Sequence, residues 1–357
     1  MTKNEARQSN IELLRILLGC AVVILHFNYY GDSGVSRYVT GANLAAMTVG
    51  ELLCNSAVDA FIIISGYFSF GKKRVNPAKV LFLLLQVSVF REAIYLLPKL
   101  IKAEFAAITG GQVLLMLLPV NYYVVLYAAL VLISPYLSAA AERADEHEFN
   151  IMILVCFGIF SVCATAVDVL AEIFGSRFAG LSPIGLSGSD SGYTIVNFIL
   201  CWLAGAWLRR TNALERIKTG KAVALFATSV VLLAIWRVIL PKTASYYSNP
   251  LVIIQAGAML LLFLKLDFKS TIINKLSPAA FTCYLIHPYL LGRVDFETVA
   301  AKSTSMFIIT AILTAIVIYA VSFALYWLWE RIMAPMLKKT AEAFDRRGII
   351  IKIGDGD

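Results

Sequence analysis

The stretch NIELLRILLGCAVVILHFNYY, residues 10–30, decides the fold. A hydrocarbon core about 30 Å thick takes roughly 20 apolar helical residues to cross, and this segment supplies them. Yet it carries Glu12, Arg15 and His26. An ionisable side chain inside a span costs roughly 2.5–3.5 kcal/mol on insertion scales, so each needs a partner or a task. Arg15 and His26 are eleven positions apart. At about 100° and 1.5 Å per residue, that spacing sets them within roughly 20° of one helix face and about 16.5 Å apart along the axis. They share a stripe and cannot touch.

Similar apolar stretches recur along all 357 residues, of which 59% are hydrophobic and 15% charged. The chain reads as an all-α, polytopic membrane bundle of about ten transmembrane helices, at 11–30, 44–69, 78–98, 120–139, 149–174, 193–209, 221–240, 250–266, 275–292 and 305–333. Lys3, Arg7 and Arg15 ahead of the apolar run Ile16 to Phe27 resemble the start of a signal peptide, but no small-residue cleavage motif follows, so the segment is expected to be retained. Breakers fill the connectors, as in GKKRVNP (71–77), GLSPIGLSGSDSG (180–192) and PKTASYYSNP (241–250). A single domain, residues 1–357, is expected, with a short charged tail at 334–357.

Lys and Arg gather on one set of connectors by about three to one, which places both termini in the cytoplasm. The inner set includes Lys72, Lys73, Arg74 and Lys79, then Arg209, Arg210, Arg216, Lys218 and Lys221. The net charge of +8 is therefore loop charge, and nucleic acid is not expected as a partner. The six cysteines lie in apolar stretches with no CxxC spacing, reading as small hydrophobes with neither disulfide nor metal site. Tyr29, Tyr30, Tyr122, Tyr123, Tyr193, Tyr246 and Tyr247 cluster on the outer side, as an aromatic belt or as a platform for sugar rings.

Other ionisable groups also fall within spans. Asp59, in AVDAFIIISGYF, is expected at the depth of His26, where a carboxylate would orient the imidazole and raise its basicity; alternatively it pairs with Arg91. His287, in CYLIHPYLL, precedes Pro288, which is expected to kink the helix and free carbonyls beside the ring. Arg91 suits an anionic acceptor or an ion pair with Glu92 or Glu51, and Arg237 is expected to snorkel to the outer interface.

These segments resemble the integral-membrane acyltransferase-3 family. NIELLRILLGCAVVILHF is similar to its first helix, with Arg or Lys, ten residues, then His, here Arg15 and His26. VDAFIIISGYF (58–68) is similar to a second-helix pattern ending Ser-Gly-aromatic, and CYLIHPYL (283–290) to a late Tyr-Leu-Ile-His segment. Where many members carry Arg-x-x-Arg after helix two, this chain has GKKRVNPAK, so Lys73, Arg74 and Lys79 are the cations available instead. The chain resembles the stand-alone form of the family.

The resemblance implies a membrane O-acyltransferase of the cell membrane, that of a bacterium. It implies transfer of an acyl group, commonly acetyl from cytoplasmic acetyl-CoA, to a hydroxyl of an envelope glycan or lipid-linked sugar, without a metal. His26 becomes the base, with Arg15 its motif partner and Asp59 its support. His287, Arg91, Ser65, Lys73 and Arg74 are the expected substrate contacts, and Ser65, Asn28 and the backbone amides near Pro288 are the candidate oxyanion donors. The rival reading is a proton-coupled secondary transporter using the same charges; the inverted repeats that would favour it are not evident.

Overall fold

The computed structural model describes residues 7–29, 34–104 and 108–353; Lys3 and Tyr30 lie outside them. The chain is 77% helical with almost no strand, an all-α polytopic bundle. In chain order the described helices are α1 (Ser9–Asn28), α2 (Gly41–Cys54), α3 (Ala57–Ser69), α4 (Ala78–Ile101), α5 (Gly110–Leu117), α6 (Tyr122–Arg143), α7 (Glu146–Phe157) and α8 (Ala164–Phe174). They continue with α9 (Ile195–Arg210), α10 (Ala213–Arg216), α11 (Thr219–Ile239), α12 (Pro250–Leu264), α13 (Thr271–Leu276), α14 (Ala279–Leu291), α15 (Phe296–Ala300) and α16 (Thr304–Arg346).

Each of the ten expected spans has a helical counterpart, with differences that have local causes. Among the described residues, eight stretches are long and apolar enough to cross a membrane. The other two expected spans correspond to α9, 16 residues, and α14, 13 residues, shorter than the roughly 20 a full crossing needs. The second span is interrupted at Asn55 and Ser56, where the Leu52 carbonyl of the preceding turn accepts from Gln255 Nε2 at 2.9 Å. A π-helical stretch, Gly158–Cys163, joins α7 to α8. Pro288 sits inside α14 without ending it.

The chain divides into two compact units, Met1–Phe70 with Ala144–Trp327 and Gly71–Arg143 with Leu328–Asp357. In the first, α1 and α14 lie side by side in the same direction, since Glu12 meets Ser277, Gly19 meets Cys283 and His26 meets His287. Tyr319 of α16 closes over Gly19, where an added Cβ would lie 3.0 Å from its ring. A second parallel pair is α3 with α9: Asp59 meets Asn197, Gly66 meets Trp202 and Arg209 lies over the Tyr67 ring. Spans one and nine, and spans two and six, share parity, which parallel crossing of a bilayer requires.

Small residues let the second pair touch backbone to backbone. A Cβ on Gly66 would stand 2.0 Å from the Trp202 carbonyl oxygen, and one on Gly205 2.1 Å from that of Ile63. This is the physical need behind the Ser-Gly-aromatic pattern. Trp202 Nε1 then donates to Ser69 Oγ at 2.8 Å.

In the second unit, Ser88 Oγ on α4 donates to the Leu117 carbonyl at 2.6 Å and Arg91 Nη1 to that of Leu118 at 2.5 Å. Two short strands, β1 (Arg74–Val75) and β2 (Ile351–Lys352), pair antiparallel. The charged tail is thus tied to the basic loop. On the surface of α16, Ile308, Ile309, Ile312, Leu313, Ile316 and Val317 are exposed, an apolar face suited to lipid.

Candidate active site

Helix α1 is held by its neighbours through Ile11, Leu14, Leu18 and Val22, all buried, and this sets its polar stripe. At the near end, Arg15 Nη1 meets Glu12 Oε1 at 2.8 Å, one turn away. The Glu12 side chain is 8% exposed and that of Arg15 35%, so the acid is the buried anchor and the guanidinium the accessible head. The second Glu12 oxygen accepts the hydroxyl of Ser277, at the entry to α14. The acid in the opening stretch therefore orients the base.

Further along, His26 is half-buried and its Nδ1 lies 3.0 Å from the Val22 carbonyl. A carbonyl only accepts, so Nδ1 carries the proton and Nε2 the lone pair. The backbone of α1 itself therefore fixes the tautomer, a task the sequence reading gave to Asp59. The ring of His287 packs edge to face against His26, with centroids 4.5 Å apart and planes at 67°. His287 is 1% exposed, and its Nδ1 lies 3.1 Å from the Cys283 carbonyl, so its lone pair is also on Nε2. That atom is buried with no hydrogen-bond partner.

Asp59 is brought to α9: its Oδ1 accepts from Asn197 Nδ2 at 3.2 Å, and Oδ2 has no hydrogen-bond partner. The Tyr284 ring lies 5.9 Å from that of His287. Ser65 is half-buried on α3, and its carbonyl accepts from Ser69 Oγ at 2.6 Å. Asn197 is the member of this region that the sequence did not single out, and no local spacing marks it; Tyr247 stood in the outer tyrosine cluster and Tyr284 in the Tyr-Leu-Ile-His segment.

The remaining expected contacts belong to the second unit. Arg91 is bonded to the Leu118 carbonyl. Lys73 is exposed, and Arg74 makes a 2.8 Å ion pair with Asp345, which also accepts from Asn76 Nδ2. Glu51, weighed as a partner for Arg91, is held by Arg237 at 2.9 Å. Arg237 also donates to Tyr29 Oη at 2.6 Å and to Ser245 Oγ, so it is built into a buried network and does not simply snorkel. Tyr247 is buried and Tyr193 packs on it at 5.4 Å, which takes Tyr247 out of a lipid-facing belt. Among the described residues, no three His, Cys, Asp or Glu side chains converge as metal ligands.

An apolar helical bundle with an imidazole and an oriented guanidinium on one helix defines the class, a polytopic membrane protein. The chain belongs to the acyltransferase domain family Acyl_transf_3, whose model matches residues 8–327, and it is thus a membrane acyltransferase. No curated protein and no solved structure gives a significant match to it.

Proposed function

We propose that the protein moves an acyl group, acetyl from cytoplasmic acetyl-CoA, to a hydroxyl of a cell-envelope glycan or lipid-linked sugar. The observation that carries this reading is the state of His26: half-open, Nδ1 bonded to Val22, lone pair on Nε2. A general base for an alcohol needs this arrangement.

Arg15 is the donor's anchor. Set by Glu12, its guanidinium meets a CoA phosphate at the inner end of the stripe. The acyl-pantetheine arm then follows the helix about 16.5 Å toward His26. There Nε2 takes the proton of the acceptor hydroxyl as its oxygen attacks the thioester carbon. The C–O bond forms, the C–S bond breaks, and the proton passes from His26 to the departing thiolate, giving ester and free CoA thiol.

Asp59, held by Asn197 on the neighbouring helix, is the supporting group of this region, and Ser65 is the candidate oxyanion donor. In the second unit, Lys73, Arg74 and Arg91 are cations suited to anionic groups. Binding separates these roles. With radiolabelled acetyl-CoA and purified protein in detergent, Arg15→Ala weakens donor binding about tenfold, equivalent to about 1.4 kcal/mol, and His26→Ala binds as wild type does. The reverse pattern inverts the placement of donor and base.

A further inference from the structure

The site holds two imidazoles, and the chemistry above uses one. Both are in the same tautomer for the same reason, an Nδ1–H given to the carbonyl four residues earlier, Val22 for His26 and Cys283 for His287. Among the described residues, neither ring has a carboxylate as a hydrogen-bond partner. In a serine-protease triad, the Nδ1–H of the base is bonded to an aspartate that stabilises the imidazolium; here Nδ1 is already committed to the backbone. What His26 does have against it is the ring of His287 at 4.5 Å.

The two rings are not equivalent. His26 is half-open, whereas His287 is 1% exposed and its Nε2 is walled in without a partner. A buried nitrogen lone pair left unpaired costs free energy unless it serves something. His26 is thus the more open ring and His287 the enclosed one. Parallel packing of α1 on α14, pinned at Ser277 and Gly19, fixes the two rings relative to each other.

We infer that His287 is the positioning partner of His26, a neutral imidazole that holds the base's ring from behind and stabilises the imidazolium formed in the transition state, and is not a substrate ligand. When His26 gains a proton, a cation appears in a low-dielectric interior. The unpaired Nε2 of the His287 ring packed beside it offers a lone pair to that charge, and such an ion–dipole attraction is stronger in a low-dielectric interior than in water. His287 gains and loses no proton in the cycle; the hydroxyl proton still travels through His26 to the thiolate. This inference rests on His26 being the base.

The test is steady-state kinetics of His287→Gln, His287→Asn and His287→Phe beside His26→Ala, in membranes supplied with acetyl-CoA and an envelope glycan extract. Gln restores a lone-pair acceptor near the Nε2 position, Asn only near Nδ1, and Phe keeps the ring without the nitrogen. His287→Phe and His287→Asn are expected to lower kcat about 100-fold, the low end for an acid–base contribution, with KM for both substrates within about threefold of wild type. His287→Gln is expected to keep kcat within about tenfold. Unchanged acetyl-CoA binding verifies the fold of each variant, and if Phe does not fold, the Gln and Asn pair decides.

Equal kcat for Gln and Asn overturns the inference, as does a raised KM with unchanged kcat, which marks a substrate ligand. Those failures leave His26→Ala inactive and the proposed function standing. Wild-type turnover in His26→Ala sinks the proposed function itself.

Discussion

Glu12 holds Arg15 at 2.8 Å on one oxygen and accepts the Ser277 hydroxyl on the other, so a buried acid on α1 ties the site's guanidinium to the start of α14. The arrangement makes Glu12 a positioning residue. Glu12→Gln removes the charge and keeps the shape; Arg15 then loses its orientation but not its charge. The expected outcome is a rise of about five- to tenfold in KM for the acyl donor, near 1 kcal/mol, with kcat changed less than about twofold. Kinetics at varied acetyl-CoA check it, and a fall in kcat with KM unchanged contradicts it.

Gly66 and Gly205 make a second, purely structural prediction. A Cβ at either position would lie about 2 Å from a backbone oxygen of the facing helix. Overpacking of this kind typically costs about 1–3 kcal/mol, and backbone offers little relief. Gly66→Ala and Gly205→Ala should each lower the melting temperature in detergent. Gly257→Ala, whose nearest neighbour to an added Cβ is a Leu208 methyl at 3.9 Å, should not. Equal melting of all three would mean that α3 and α9 are not in backbone contact.

How much of this was legible in the sequence depended on the range of the forces involved. Span positions and the Arg15–His26 stripe follow from hydropathy and helical period, both local, and they lie where the period puts them. The Asn55–Ser56 interruption carried a weak local sign. Pairing is long-range: that His287 would meet His26, that Asn197 would take Asp59, and that Arg237 would take Glu51 depends on which helices neighbour which, and one sequence carries no such information. Glu12 was visible, three residues before Arg15, but only the fold shows Ser277 as its second partner.

Arg237 offers the sharpest contrast between the two readings. A snorkelling arginine tolerates truncation, whereas Arg237 and Glu51 are 19% and 6% exposed at their side chains and bonded to each other. Removing one partner of a buried pair typically costs about 3–5 kcal/mol because the other charge is stranded. Arg237→Ala should therefore destabilise the protein strongly, and Arg237→Met combined with Glu51→Leu should recover most of the loss. Thermal unfolding of the single and double variants decides, and a mild single variant returns Arg237 to the interface.

Histidine chemistry gives a direct check on which ring is open. Diethyl pyrocarbonate attacks an accessible neutral imidazole nitrogen. His26, half-open with its lone pair on Nε2, should be carbethoxylated in membranes and protected by bound acetyl-CoA, and the buried His287 should not. Peptide mass spectrometry after brief labelling reads both sites at once; preferential labelling of His287 would reverse their assignment.

The central claim is that His26 deprotonates the acceptor while Arg15 anchors the donor. Its most direct measurement is transfer of radiolabelled acetyl from acetyl-CoA to an envelope glycan extract by membranes containing wild type, His26→Ala or Arg15→Ala. The account predicts label on the glycan with wild type, none above background with His26→Ala, and transfer restored in Arg15→Ala only at high donor concentration. Equal label on the glycan in all three would contradict it.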